Sequence, residues 1–169
     1  MGEQEFTAFY HDHARPLWLY LFKLGGQEAL ADDILQESFL RFLKSAPKEM
    51  DVHQMKAYVY RTAYHLFIDH QRRKKRYHAL LRDQGGPEAF FHAEGRDLEV
   101  EQLFRSLKNR ERSVLWLAYV DGYSHREISG IMGLKTGSIR VILNRIKKKL
   151  KAQNEMKNEG VRCQYEKNL

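Results

Sequence analysis

The stretch SHREISGIMGLKTGSIRVILNRIKKKL, residues 124–150, decides how the chain folds. Ser124 is followed three positions later by Glu127, the capping-box pattern in which each side chain satisfies an orphan amide of a helix's first turn. A helix is therefore expected to start at Ser124. Ile128, Ile131 and Met132 share one face at helical spacing, and small Ser129 leaves room for a second helix to approach. Gly133 supplies the left-handed residue that ends a helix and turns the chain within three or four residues. Thr136 or Ser138 can cap the next helix, whose Ile139, Ile142, Leu143 and Ile146 form a buried stripe. Its other face carries Lys135, Ser138, Arg140, Val141, Asn144 and Arg145. This is a helix-turn-helix pattern, short and polar where base edges are read and basic where phosphates lie. The plain alternative is a helical hairpin with a solvated basic face; the agreement of cap, glycine and apolar spacing favours DNA. Lys147, Lys148, Lys149 and Lys151 suit sequence-blind phosphate contacts.

Working outward, apolar residues recur at three- and four-residue spacing almost everywhere, and few stretches alternate with period two, so the chain reads as all-α. A first helix is expected over 3–23, with Phe6, Phe9, Leu17 and Leu21 inward and a kink at Pro16. A second is expected over 27–44, stopping before Pro47, and a third from 54 to the basic run ending at 76. The segment YHALLRDQGGPEAFFHAEGRDLE reads as a linker, and helical spacing resumes at Val100, Leu103, Phe104 and Leu107. The expected organisation is two small helical domains, 1–76 and 100–153, joined by a flexible linker over 77–99, with a frayed tail over 154–169.

Charge follows the same division. Residues 1–76 carry 12 Lys+Arg against 10 Asp+Glu, whereas residues 101–153 carry 12 against 4. With a net charge of +7 overall, that concentration favours a polyanionic partner, because neutralised phosphates release counterions. No apolar run approaches the roughly 20 residues of a membrane span, and the N-terminal residues lack the basic flank and apolar stretch of a secretion signal. No membrane insertion and a cytoplasmic location are expected. The single cysteine, Cys163, forms no internal pair, and neither a cofactor nor a metal motif stands out.

Two stretches of the N-terminal half carry further chemistry. In AYVYRTAYHLFIDHQRRKKR, residues 57–76, Val59, Thr62, Ala63, Leu66 and Phe67 make an inward stripe beside Tyr58, Arg61, His65, Asp69, Arg72 and Arg76. Aromatics interleaved with cations suit single-stranded nucleic acid, where rings stack on bases and cations follow the backbone. Tyrosines in a core with solvated arginines would produce the same composition. His65 and Asp69 lie one turn apart without a third metal ligand, which points instead to a local hydrogen bond or an Asp69–Arg73 pair. In ADDILQESFLRFL, residues 31–43, Ala31, Ile34, Leu35, Ser38, Phe39 and Phe42 can face a core. That leaves Asp32, Asp33, Gln36, Glu37, Leu40 and Arg41 outward. An exposed leucine rimmed by acids is how a docking surface is often built, and a solvated acidic face is the equal alternative.

Taken together and in this order, the acidic helix, the basic aromatic helix, the linker and LKNRERSVLWLAYVDGYSHREISGIMGLKTGSIRVILNRIKKKL resemble the two-domain sigma factors of the extracytoplasmic-function group, within the sigma-70 family. The resemblance spans Phe9 to about Lys151. It implies a non-enzymatic protein that binds core RNA polymerase, directs it to promoters and helps melt them. Docking on the clamp of the largest subunit would fall to Asp32, Asp33, Gln36, Glu37 and Leu40, with the flap a second polymerase contact. The minus-ten element, double-stranded and then melted, would be read by Tyr58, Arg61, Tyr64, His65, Asp69, Arg72 and Arg73. The minus-thirty-five element would be read by Lys135, Thr136, Ser138, Arg140, Val141, Asn144 and Arg145. An anti-sigma factor is a further implied partner. The family usually has Trp where Tyr58 stands and Asn where His65 stands, and a small polar residue where Val141 stands; Val141 would suit a thymine methyl.

The C-terminal portion is also similar to the output domain of two-component regulators, but such a protein needs an αβ receiver, and 1–76 shows no strand alternation. A nucleic-acid enzyme acting through His65 and Asp69 would lack a paired carboxylate or metal cluster.

Overall fold

In a computed structural model, residues 2–47, 49–80, 104 and 106–166 are described, the side chains of 78 and 153–166 excepted. They form α1 (Glu3–Gly25), α2 (Glu28–Ser45), α3 (Val52–Leu80), α4 (Asn109–Tyr119), α5 (His125–Met132) and α6 (Thr136–Glu166), with no strand among them. Local chemistry sets the ends. The Glu5 carboxylate accepts from the Gly2 amide at 2.8 Å, and α1 continues through Pro16 until Gly26, at φ 67°, turns the chain out. α2 stops where Ala46, the residue before Pro47, adopts extended backbone.

Two ends differ from the sequence reading. α3 runs to Leu80, four residues into the expected linker, because Tyr77, Ala79 and Leu80 include nothing that breaks a helix. The rest of that linker, and most of the helical spacing expected at 100–107, lie outside the described residues. α6 runs to Glu166, where a frayed tail was expected; its added length holds no proline, so every residue keeps the amide that the helical ladder needs.

α1, α2 and α3 pack on one another around Phe9, Leu17, Leu21, Ile34, Phe39, Phe42 and Phe67. Gly25 brings the end of α1 against α3 closely enough that a Cβ there would stand 3.1 Å from the Phe67 ring. α4, α5 and α6 pack around Val114, Leu117, Ile128, Ile131, Ile139 and Leu143. The halves that charge and periodicity separate nonetheless share a single continuous core, since α4 packs on α1 and α5 on α3.

That seam is aromatic and polar. The Tyr60 hydroxyl donates to Asp121 Oδ1 at 3.1 Å, and Lys56 Nζ lies 3.5 Å from the same oxygen and over the rings of Tyr60 and Tyr123. The Arg112 guanidinium donates to the Leu24 carbonyl at 3.1 Å, and His53 pairs with Glu127 while stacking on Tyr123. None of Lys56, Tyr60, Arg112 or Asp121 stands out in the sequence, because their partners are far away along the chain.

Candidate functional site

The acidic face is set by the periodicity of α2. All six residues expected inward are buried, from Ala31 to Phe42. Asp32, Asp33 and Gln36 are exposed, Glu37 is half-buried, and Leu40, one turn beyond Gln36, keeps 48% of its surface exposed. Two contacts fix the acids. The Trp18 indole, stacked on Phe22 with ring centres 5.1 Å apart, donates to Asp32 Oδ1 at 2.7 Å. Glu37 Oε1 accepts from Arg41 Nε, one turn on, at 2.7 Å. Trp18 therefore joins this face from α1, a contribution that helical spacing within α2 could not reveal.

The second face lies along α3. Arg61, His65, Asp69, Arg72 and Arg73 are exposed, and Tyr58 is half-buried with its ring edge on Phe42. Tyr64 departs from the reading that set it among displayed residues. It is only 6% exposed, and burial raises its hydroxyl pKa. The buried stripe of α3 is Val59, Tyr60, Ala63, Tyr64 and Phe67, whereas Thr62 and Leu66, expected inward, are only half-buried; the stripe is rotated because α5 covers a flank that the helix alone would leave wet. Asp69 pairs with Arg72 at 3.5 Å, three residues on, rather than with Arg73. No group of three metal-ligating side chains occurs among the described residues.

The third face belongs to α5 and α6. The Ser124 amide donates to Glu127 Oε2 at 2.7 Å and the Glu127 amide donates back to Ser124 Oγ at 3.4 Å, closing the expected capping box. Hydrogen bonds from Ser124 hold the Glu127 carboxyl below its ordinary pKa. Gly133 ends α5 at φ 64°, and the Ser129 hydroxyl donates to the Leu134 carbonyl across the turn, so Ser129 clips the turn as well as leaving space. α6 starts at Thr136, so neither Thr136 nor Ser138 caps it from outside; the Ser138 amide instead donates to the Lys135 carbonyl at 2.8 Å. Lys135, Thr136, Arg140, Asn144 and Arg145 are exposed, Ser138 is half-buried, and Val141 exposes 48% of an apolar side chain. Lys149 turns inward to Glu111 at 2.7 Å and ties α6 to α4, which removes it from the basic surface expected there.

The second and third faces meet. The His65 ring stands 3.8 Å from where a Cβ on Gly133 would lie, so the middle of α3 abuts the turn of the helix-turn-helix.

The model of sigma-70 region 2 matches residues 9–77, and that of sigma-70 region 4 matches residues 97–150. The chain is 24% identical over 148 residues to the ECF RNA polymerase sigma factor SigE of Mycolicibacterium smegmatis, covering 82% of this chain and 57% of that protein. It is 29% identical over 142 residues to the ECF RNA polymerase sigma factor SigL of Mycobacterium tuberculosis, covering 79% of each. Its fold is similar to that of the sigma factor RpoE from Bartonella quintana, solved in complex with the anti-sigma factor NepR, with a TM-score of 0.73, 16% identity and coverage of 90% of this chain and 98% of that one. With both regions matched in order, the chain belongs to the sigma-70 family, in its extracytoplasmic-function group of non-enzymatic transcription initiation factors.

Proposed function

We propose that the chain binds core RNA polymerase through α2, directs it to promoters and opens them, working in the cytoplasm. One observation carries the reading: a basic protein presents an acidic face with an exposed leucine beside it, on the same framework as two basic faces. A repressor needs the basic faces alone. Asp32, Asp33, Gln36, Glu37 and Leu40 would meet the clamp of the largest subunit, with the flap as a second contact. Tyr58, Arg61, His65, Asp69, Arg72 and Arg73 would engage the minus-ten element as it melts. Tyr64, buried, would act there by supporting α3 rather than by stacking on a base. Lys135, Thr136, Ser138, Arg140, Val141, Asn144 and Arg145 would read the minus-thirty-five element, with Val141 placed for apolar contact with a thymine methyl. The domains serving these two roles are 1–76 and 100–153, joined through 77–99. An anti-sigma factor is the expected inhibitor.

The test is capture of purified core polymerase by the tagged protein, comparing the wild type with the Asp33→Lys, Glu37→Lys double variant. Loss of capture with retained helical circular dichroism is expected; undiminished capture would overturn the docking assignment.

A further inference from the structure

Trp18 and Phe22 stand one turn apart on α1 and stack with ring centres 5.1 Å apart and planes 9° from parallel. The stack fixes the plane of the indole, whose Nε1 donates across the packing of α1 on α2 to Asp32 Oδ1 at 2.7 Å, 14 residues on. Asp32 is exposed in the second turn of α2, where an unheld carboxylate would turn among its staggered rotamers. A hydrogen bond to an ionised acceptor is about twice as strong as a neutral one, so this contact selects one of them. Glu37, on the same face, is held differently: its partner Arg41 rides on α2 itself, and the pair travels with the helix that carries it. The indole is half-buried against the core from a second helix, and so it sets Asp32 relative to the whole framework.

We propose that Trp18 is a positioning residue for polymerase docking: its N–H holds the Asp32 carboxylate where a cationic side chain of the partner meets it, so that Asp32 is ordered before binding rather than during it. Trp18 itself touches no polymerase atom, and what the bond supplies is affinity, not fold. The inference rests on the reading above, in which the acidic face of α2 docks on core RNA polymerase.

The bond is tested in the free chain and its consequence in the complex. The chain has two tryptophans, so a proton–nitrogen correlation spectrum shows two indole signals, and Trp18→Phe identifies the one that belongs to Trp18. That signal should lie downfield of its position in Asp32→Ala, which lacks the acceptor; an unmoved signal would overturn the bond. Fluorescently labelled wild type, Trp18→Phe, Asp32→Ala and the double variant are then titrated with purified core RNA polymerase. Trp18→Phe keeps a ring on Phe22 and should retain the helical circular dichroism, yet weaken binding about fivefold, the cost of ordering one side chain at an interface. In the Asp32→Ala background the same change should have no further effect. Wild-type affinity in Trp18→Phe would overturn the positioning role, and so would a loss that persists in Asp32→Ala, since it would not pass through the carboxylate. The docking reading fails separately. Undiminished capture of the Asp33→Lys, Glu37→Lys variant removes that reading, whereas loss of its capture with an indifferent Trp18→Phe removes the positioning role alone.

Discussion

At Gly133 the chain adopts φ 64°, a left-handed backbone that a Cβ opposes, while the space beside it is ordinary van der Waals contact with His65. Gly133→Ala is therefore expected to cost about 1 kcal/mol through backbone strain alone, read as a lower midpoint in denaturant unfolding, and an unchanged midpoint would contradict it. Asp121 carries a different burden. Burial raises its carboxyl above the ordinary 3.8, and Lys56 and Tyr60 offset that only in part. A carboxyl raised in the folded state binds its proton more tightly there, so its contribution is present below the unfolded value and is lost as pH rises through the folded one. Asp121→Asn should flatten the pH dependence of stability just above 3.8. Glu111 runs the other way: burial alone would raise it, but Lys149 and the Lys108 amide together hold it below 4.5. Its contribution is present above 4.5 and fades as pH falls, so Glu111→Gln should remove a part of the acid sensitivity that Asp121→Asn leaves in place.

Among the elements, the helix-turn-helix and the acidic helix were the most legible in the sequence, because both are local. The Ser124–Glu127 box, Gly133 and the apolar stripe of α5 depend on residues within ten positions of one another, and the inward set of α2 follows from a period of 3.6. α3 was read less well. Its periodicity places Val59, Thr62, Ala63, Leu66 and Phe67 inward, yet Thr62 and Leu66 are only half-buried and Tyr60 and Tyr64 are buried instead, because the cover on that side comes from α5, far along the chain. The bond from Trp18 to Asp32 escaped for the same reason, since it joins two helices. At this scale, Ser124→Ala should cost about 1 kcal/mol by leaving the first turn of α5 uncapped, measured by thermal unfolding. A variant as stable as wild type would mean that packing of Ile128 and Ile131 alone fixes where α5 begins.

For the molecule as a whole, composition divides the chain where packing joins it. A charge contrast and a glycine-rich stretch separate two halves, yet one core runs from Phe9 to Leu143, bridged by Tyr20, Tyr60, Trp116 and Tyr123. The two tryptophans report on the two sides of that bridge: Trp18 beside α2, and Trp116 against Tyr20 and Phe104. If the halves stand or fall together, Trp18→Phe and Trp116→Phe, each leaving one reporter, should unfold with coincident fluorescence and circular-dichroism transitions. Separated transitions would show that the seam does not couple them. The same architecture holds an acidic face beside two basic ones, which is what a protein needs if it is to hold an enzyme and a promoter at once. The direct measurement is to add the purified chain to core RNA polymerase with a pool of genomic promoter fragments and sequence the transcript starts. The account predicts defined start sites that appear with this protein as the only initiation factor and vanish with the Asp33→Lys, Glu37→Lys variant; starts that require a different sigma factor would contradict it.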